Sequence, residues 1–283
     1  MSKRLTQRVL AALALCLFAA PALAEWGLNL PVGVTPLSKE IYGLHMLIFG
    51  VCVAIAFVVF GAMIYSIFAF RKSKGAVAAQ FHHSKRIEIL WTIVPILILV
   101  AMAIPAAKTL VKIEDMRNAE LTIRVTAYQW KWRYDYPDSG IGFFSSLAAD
   151  SVRARQVGSG VDVRAVDHYL RNVDNPLVVP VGKKVRLLLT ANDVIHAWWV
   201  PEIGMKRDAI PGYFNEIWFT IEEPGTFRGQ CAELCGRDHG FMPIVVIAKP
   251  QAEYDAWVSE QRKMAGLPPQ TETESAVAAA GQH

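Results

Sequence analysis

Two long apolar stretches dominate the first half of the chain. Residues 41–70 carry no acidic or basic side chain other than histidine, and residues 87–111 form a second apolar stretch that contains two prolines. About 20 apolar residues suffice to cross the hydrocarbon core of a bilayer, and membrane helices tolerate internal proline. The pattern therefore predicts a transmembrane helix hairpin over residues 41–111, whose two helices are joined by a loop at residues 71–86.

After residue 112 the pattern changes to short runs typical of β-strands. Residues 121–128 alternate apolar and polar side chains, as a half-buried strand does. Several short strands separated by Gly and Pro turns predict an all-β sandwich or barrel over residues 112–265, with a terminal helix at 251–265. Residues 266–283 have little to bury and are predicted to be disordered. The other runs that indicate strands are residues 177–180, 184–190, 198–200, 216–221, 227–230 and 242–248.

Charged residues predict how the hairpin is oriented. Residues 1–24 have a basic start, an apolar centre and a small-residue ending, which is typical of a cleaved signal peptide. Residues 25–40 then form a periplasmic N-terminal segment. The loop at residues 71–86 holds five Lys or Arg residues and no acid, which favours the cytoplasmic side. Both features put the C-terminal domain in the periplasm.

Composition agrees with a membrane part joined to a globular part. The chain is 53% apolar, with a mean hydropathy of +0.28 and a net charge of +4. The excess of positive charge does not extend to the globular part, because residues 112–283 hold 19 basic and 22 acidic side chains, a balance of −3. A mildly acidic domain is a poor partner for phosphate backbones, so nucleic-acid binding is excluded.

A cluster of metal-binding side chains lies near the end of the chain. Within twelve residues the sequence offers Cys231, Cys235, His239 and Met242, at the spacing Cys-x3-Cys-x3-His-x2-Met. Thiolate, imidazole and thioether are ligands that copper takes, and a second imidazole is available upstream at His196. A second thiolate allows two sulfurs to bridge two copper ions. The cluster thus indicates a dinuclear copper site in a cupredoxin-like barrel.

Two other interpretations of the cysteines are open from the sequence. Cys231 and Cys235 could form a disulfide, since the predicted compartment is oxidising. They could also bind zinc, although zinc rarely takes methionine and Met242 argues against it.

These residues carry a family resemblance that covers most of residues 40–260. The stretch from Cys231 to Met242 resembles the dinuclear copper A loop of cytochrome c oxidase subunit II. The resemblance implies an aa3-type haem-copper oxidase of a bacterial inner membrane, with subunits I and III as partners and cytochrome c as electron donor. Electrons would pass to haem and copper in subunit I, where oxygen is reduced and protons are translocated. Further matching segments are residues 88–95, 128–134 and 206–212, together with His196.

The resemblance also implies roles for three further residues. Trp130 matches the surface tryptophan where electrons enter, although alternating aromatic residues also pack a barrel. The backbone carbonyl of Glu233 would be a weak copper ligand, and its side chain would bind magnesium shared with subunit I. Glu88 matches an acidic residue at the entrance of a proton path, but it could equally be an interfacial carboxylate that reaches water.

The acidic balance of the outer domain suits a basic electron donor. Asp135, Asp138 and Asp193 flank the aromatic and copper-binding elements and are candidates for docking, although single carboxylates are most often solvated surface. Residues 138–175 indicate no chemistry, and Arg155 within them is expected to be solvated.

Two other functions remain as alternatives. A quinol oxidase subunit II would share the fold without copper ligands. A periplasmic copper-binding or copper-delivery protein would not need two membrane spans.

Overall fold

The computed structural model describes residues 29–80 and 82–269. The chain divides into one unit of residues 1–30 and a second unit of residues 31–283, which contains all the helices and strands given below. The predicted signal peptide, residues 1–24, lies outside the described residues. So does most of the tail predicted to be disordered, from residue 270 onward.

Two long helices form the hairpin. Helix α1 spans Pro36–Ala69 and helix α2 spans Lys85–Ile113, and both are long and apolar enough to cross a membrane. Helix α1 begins five residues before the predicted span because its start is capped. The Thr35 hydroxyl accepts a hydrogen bond from the Ser38 amide at 2.9 Å, and the Thr35 amide in turn donates to the Ser38 hydroxyl at 3.0 Å. Proline at the first helical position suits this start.

Polar contacts connect the N-terminal end of α1 to the C-terminal end of α2. The Glu40 carboxylate on α1 accepts hydrogen bonds from Lys112 at 2.8 Å and Thr109 at 2.7 Å, both on α2. The last turn of α2 then meets the β-domain, where the Trp218 indole donates to the carbonyl of Ile113 at 3.0 Å. The end of α2 is therefore held against the domain that follows it.

Ten strands among the described residues form two five-stranded sheets. The first sheet has the order β3-β2-β1-β5-β8, and the second has the order β4-β10-β9-β6-β7. Strands β1 and β5 pair in parallel, as do β4 and β10, and the other neighbours are antiparallel. The strands are β1 Leu121–Tyr128, β2 Lys131–Tyr136, β3 Ile141–Ser145, β4 Leu177–Pro180, β5 Val185–Ala191, β6 His196–Val200, β7 Met205–Ala209, β8 Asn215–Phe219, β9 Gly225–Cys231 and β10 Pro243–Lys249.

Alternation along the strands builds the core. In β5 every second side chain is buried, from Val185 through Leu187 and Leu189 to Ala191, while the side chains between them are partly exposed. A sheet that packs one face inward requires this pattern. Trp132 on β2 and Trp198 on β6 are among the largest side chains that are fully buried. The predicted all-β, cupredoxin-like fold is confirmed as a sandwich of two sheets.

Strands β2, β3 and β7 are absent from the predicted strand runs, and of these β3 and β7 lie at the edge of a sheet. The middle of β7 is Lys206, Arg207 and Asp208, whose polar side chains hide the apolar signal that a central strand gives. The terminal helix α4 spans Gln251–Met264, one residue shorter than predicted.

Residues 146–176 form an insert between β3 and β4, and this region is more ordered than its sequence indicated. It contains a short helix α3, Ala149–Ala154. The Ser146 amide donates to the Asp174 carboxylate at 2.7 Å, and the Asp174 amide donates to the Ser146 carbonyl at 3.0 Å. These reciprocal bonds close the insert at its base.

Candidate metal centre

The candidate ligands lie on two neighbouring strands and the loop between β9 and β10. Cys231 is the last residue of β9, and Met242 directly precedes β10. Cys235 lies in the loop between them, and His239 begins a single 3-10 turn, His239–Phe241. His196 is the first residue of β6, which pairs with β9 next to Cys231. Antiparallel pairing of β9 with β10 returns the loop on itself, so residues eleven positions apart in sequence become neighbours.

The four predicted side chains of the loop and His196 converge. The two cysteine sulfurs lie 3.9 Å apart. The Nδ1 atom of His196 is 3.9 Å from the Cys231 sulfur, and the Nδ1 atom of His239 is 3.4 Å from the Cys235 sulfur. The Met242 sulfur is 3.6 Å from that of Cys235. Each imidazole therefore faces a different thiol.

The donor set fits copper. A disulfide needs sulfurs about 2.05 Å apart, so the separation of 3.9 Å leaves both cysteines as separate thiols. The ligand atoms of His196, Cys231 and Cys235 lie within 4.8 Å of one another, and all three residues are buried. The Met242 thioether, only 1% exposed, adds a soft donor that copper accepts and zinc rarely does.

His196 is oriented by a carboxylate. Its ring is fully buried, and its outer nitrogen Nε2 lies 2.9 Å from the Asp193 carboxylate. Asp193 is itself fixed by the backbone amides of Gln129 and Val194, which donate to it at 2.7 Å each. A carboxylate on the outer nitrogen determines which ring nitrogen faces a metal. Nδ1 of His196 therefore points at the cysteine sulfurs.

Hydrogen bonds shift the pKa values of both His196 and Asp193. Burial lowers the pKa of His196, but its contacts with Cys231 and Asp193 outweigh burial and raise the pKa above its ordinary value. Burial likewise raises the pKa of Asp193, and the bonds from His196 and the two backbone amides outweigh it and bring the pKa below the ordinary value. The imidazole and the carboxylate therefore form a charge-assisted pair.

The two thiols differ in proton affinity. Burial raises the pKa of Cys231, but hydrogen bonds with His196 and the backbone of Ala197 and Glu233 outweigh it and hold the pKa below its usual range. Burial raises the pKa of Cys235 to about 12, and the neighbouring Cys231 adds to the effect. Without metal, the Cys231 thiol therefore loses its proton at a lower pH than the Cys235 thiol does.

Comparisons with known proteins agree with this geometry. Residues 23–109 match the family description "Cytochrome C oxidase subunit II, transmembrane domain", and residues 121–249 match "Cytochrome C oxidase subunit II, periplasmic domain". A probable cytochrome c oxidase subunit 2 of Rickettsia bellii is 37% identical over 85% of this chain and 86% of its own length. The chain belongs to the cytochrome c oxidase subunit II family.

Two further relatives are similar to the chain. Cytochrome c oxidase subunit 2 of Cereibacter sphaeroides is 36% identical over 83% of this chain and 80% of its own length. A crystal structure is known for the periplasmic domain of subunit II of cytochrome oxidase from Bradyrhizobium japonicum. Its sequence is 42% identical to this chain, and the match covers 52% of this chain and 96% of that domain with a TM-score of 0.44.

Membership of the family establishes the general role of the chain. It is a two-pass membrane subunit of a cytochrome c oxidase, and it serves as the electron-accepting subunit, while the oxygen chemistry takes place in another subunit. The subunit II family binds a copper centre, and His196, Cys231 and Cys235 form a buried cluster of ligand atoms suited to a metal ion. A separate copper-delivery role is not supported.

Aromatic residues of the β1–β2 hairpin hold the cysteine loop of this subunit II. The Trp130 indole donates to the Cys235 carbonyl at 3.2 Å, and the Gln129 amide side chain donates to the same carbonyl at 2.8 Å. The Trp132 indole, fully buried, donates to the Met242 carbonyl at 3.2 Å. The sequence indicated a role for Trp130 but none for Gln129, whose hydrogen-bond partner is distant in sequence.

The two glutamates predicted to have roles lie in different parts of this subunit II. The Glu233 carbonyl lies 3.3 Å from the Cys231 sulfur, and its side chain is exposed. Glu88 lies in the first turn of α2, half-exposed, at the helix end opposite the contact with Trp218.

The three docking carboxylates differ in their surroundings. Asp135 is only 8% exposed and pairs with Arg124 at 3.1 Å and Arg133 at 2.8 Å. Its predicted docking role is corrected, because a buried and doubly paired carboxylate offers no free charge to a partner. Asp138 is partly exposed in a 3-10 turn, and Asp193 is occupied with His196 while about a quarter of its side chain remains exposed.

Proposed function

We propose that the chain accepts single electrons from cytochrome c at a dinuclear copper centre and passes them to haem and copper in subunit I. Oxygen is reduced to water there, coupled to proton translocation. Cys231 and Cys235 would supply the thiolates shared by the two ions, and His196 and His239 would each supply one imidazole. The observation that carries this proposal is that each imidazole nitrogen faces a different one of the two adjacent sulfurs.

Two weaker ligands complete the proposed set. Met242 would supply a weak thioether ligand near Cys235, since the two sulfurs lie 3.6 Å apart. The Glu233 carbonyl would supply a second weak ligand near Cys231, supported by its distance of 3.3 Å from that sulfur. A thiolate-bridged copper pair supplies a one-electron carrier whose charge is shared by both ions. The protein's part is to keep the donors in one arrangement, through paired strands and the indole bonds of the hairpin.

Electrons enter through Trp130 in this proposal. Trp130 is half-buried, so part of it is accessible at the surface, and its indole nitrogen donates to the Cys235 carbonyl. A single hydrogen bond thus links the surface ring to the backbone of a bridging cysteine. Asp138 and Asp193 are the proposed docking carboxylates, supported by the −3 balance of residues 112–283.

The orientation in the membrane follows from the charge pattern, and the partners follow from the family. The subunit lies in a bacterial inner membrane with subunits I and III, and a signal peptide at residues 1–24 is removed. The loop at residues 71–86 is cytoplasmic, and the β-domain is periplasmic. The exposed Glu233 side chain binds magnesium at the boundary with subunit I, as an oxygen donor suits that cation. Glu88, at the cytoplasmic end of α2, is the entrance of a proton path.

Metal content tests the proposal. The full chain, loaded with copper in detergent, should bind two coppers and show an electron spin delocalised over two copper nuclei in electron paramagnetic resonance. Cys231→Ser and Cys235→Ser should each abolish that spectrum, because each sulfur serves both ions. Cys52→Ser is the matched control, since Cys52 is a free thiol on α1 and should leave the spectrum unchanged. One copper per chain in the parent would contradict the dinuclear site.

A further inference from the structure

Arg155, from the insert, reaches the cysteine loop. It follows helix α3, and its guanidinium donates to the Asp238 carboxylate at 3.1 Å. The same guanidinium lies over the Phe241 ring, 4.0 Å from its centroid. Only 28% of the Arg155 side chain is exposed, against the sequence-based expectation of a solvated arginine. The two contacts use both properties of arginine, its charge and its flat stacking face.

Both contacts enclose His239. Asp238 directly precedes the single turn that begins with His239, and Phe241 ends that turn. Within the loop, the turn is closed by the Phe241 amide, which donates to the Asp238 carbonyl at 2.9 Å, and by the His239 amide, which donates to the Gly236 carbonyl at 3.2 Å. The Arg155 guanidinium therefore contacts the residue before the turn and the last residue of the turn that carries the His239 imidazole.

Hydrogen bonds within the insert fix the position of the helix that precedes Arg155. Ser151 on α3 is fully buried, and its hydroxyl accepts a hydrogen bond from the Leu170 amide at 3.2 Å. The Arg155 amide donates to the Ser151 carbonyl at 3.0 Å, and the Ala148 amide donates to the Asn172 carbonyl at 3.0 Å. Arg155 thus follows a helix that is hydrogen-bonded to other residues of the insert.

We propose that Arg155 is a positioning residue for His239 that holds the imidazole toward the Cys235 sulfur. This inference rests on the proposed function, in which His239 is a copper ligand. The need for such support comes from the turn itself. His239 is half-exposed and lies in a 3-10 turn outside the strands, so the backbone of a sheet does not position it. The insert, which the sequence left without a role, then serves to shape the copper site.

Copper release and reduction potential test the positioning role. Arg155→Ala should still bind two coppers but lose them to a chelator about tenfold faster, at the lower end of the effect of removing supports around metal ligands. Its reduction potential should fall, because a positive charge near the site favours the reduced form. Arg155→Lys keeps the charge but loses the flat face, so it should restore only part of the parent behaviour. Arg153→Ala is the matched control, an exposed arginine on the same helix.

A metal-free measurement separates this inference from the proposed function. In the full chain labelled at histidine, the His239 ring signal, assigned by comparison with His239→Gln, should broaden or shift in Arg155→Ala and stay in place in Arg153→Ala. Unchanged ring signal, copper release and potential in Arg155→Ala would overturn the positioning role. If the parent itself binds one copper, the dinuclear proposal fails, while the ring signal still decides whether Arg155 orients His239.

Discussion

His196 and His239 approach the same pair of sulfurs from supports of different kinds. His196 begins a central strand, is fully buried, and has its outer nitrogen held by Asp193. His239 lies in one 3-10 turn of a loop, is half-exposed, and is flanked by the two residues that Arg155 contacts. One imidazole is held by the core of the fold, and the other is held by a loop and an arginine from an insert.

This difference separates stability from metal binding. A ligand that is also part of the core cannot be lost without damage to packing, because protein interiors are close-packed. A ligand on a surface turn contributes little to packing, so its loss affects mainly the metal. We therefore expect the two histidines to be equivalent as ligands and unequal as structural residues.

The largest expected effect comes from removing each histidine in turn. In the metal-free chain, His196→Ala should lower the free energy of unfolding by about 2–4 kcal/mol, since it leaves a cavity in the core and removes one hydrogen-bond partner of Asp193. His239→Ala should cost less than about 1 kcal/mol, as partly exposed surface changes usually do. Denaturant unfolding followed by tryptophan fluorescence measures both. Equal losses would show that the supports do not differ.

The pH dependence of copper binding sharpens the contrast between the two thiols. The pKa of Cys235 is about 12 without metal, so its thiol is protonated throughout the neutral range. A thiolate ligand must release that proton, and affinity therefore rises with pH below the pKa. We expect at least about a tenfold gain in apparent copper affinity per pH unit between about pH 6 and 9. Chelator competition, corrected for the chelator's own protonation, should show this slope, and a flat profile would contradict it.

A smaller effect should follow from Asp193→Asn. The carboxylate places negative charge next to His196, which favours the oxidised centre, so neutralising it should raise the reduction potential. We expect a shift below about 59 mV, the equivalent of a tenfold change for one electron. The sign is opposite to that expected for Arg155→Ala, because the two groups carry opposite charges. Redox titration of both variants decides the point, and shifts in the same direction would contradict it.

Much of this arrangement was predictable where the signal is local in sequence. Strand β1 has the predicted bounds, because strict alternation reveals a half-buried strand. The loop ligands were predictable because Cys231, Cys235, His239 and Met242 lie on one loop whose spacing carries the chemistry. The early start of α1 came from a capping contact that apolar content does not reveal.

The supports of the site were not predictable, because their partners are remote. Arg155 and Asp238 are 83 residues apart, and Gln129 and Cys235 are 106 apart. The charges at Asp135 indicated a surface group, yet two arginines on its own and the adjacent strand bury it. Such contacts depend on which strands become neighbours, and a single sequence does not specify that pairing.

In the proposed site, the imidazole of His196 from the core and that of His239 from the loop bind one shared copper centre. Pulsed electron paramagnetic resonance of the copper-loaded full chain, labelled with nitrogen-15 at histidine, tests it directly. We expect one electron spin coupled to two copper nuclei and to nitrogens of two distinct imidazoles. A spin confined to one copper nucleus, or coupled to a single imidazole, would contradict it.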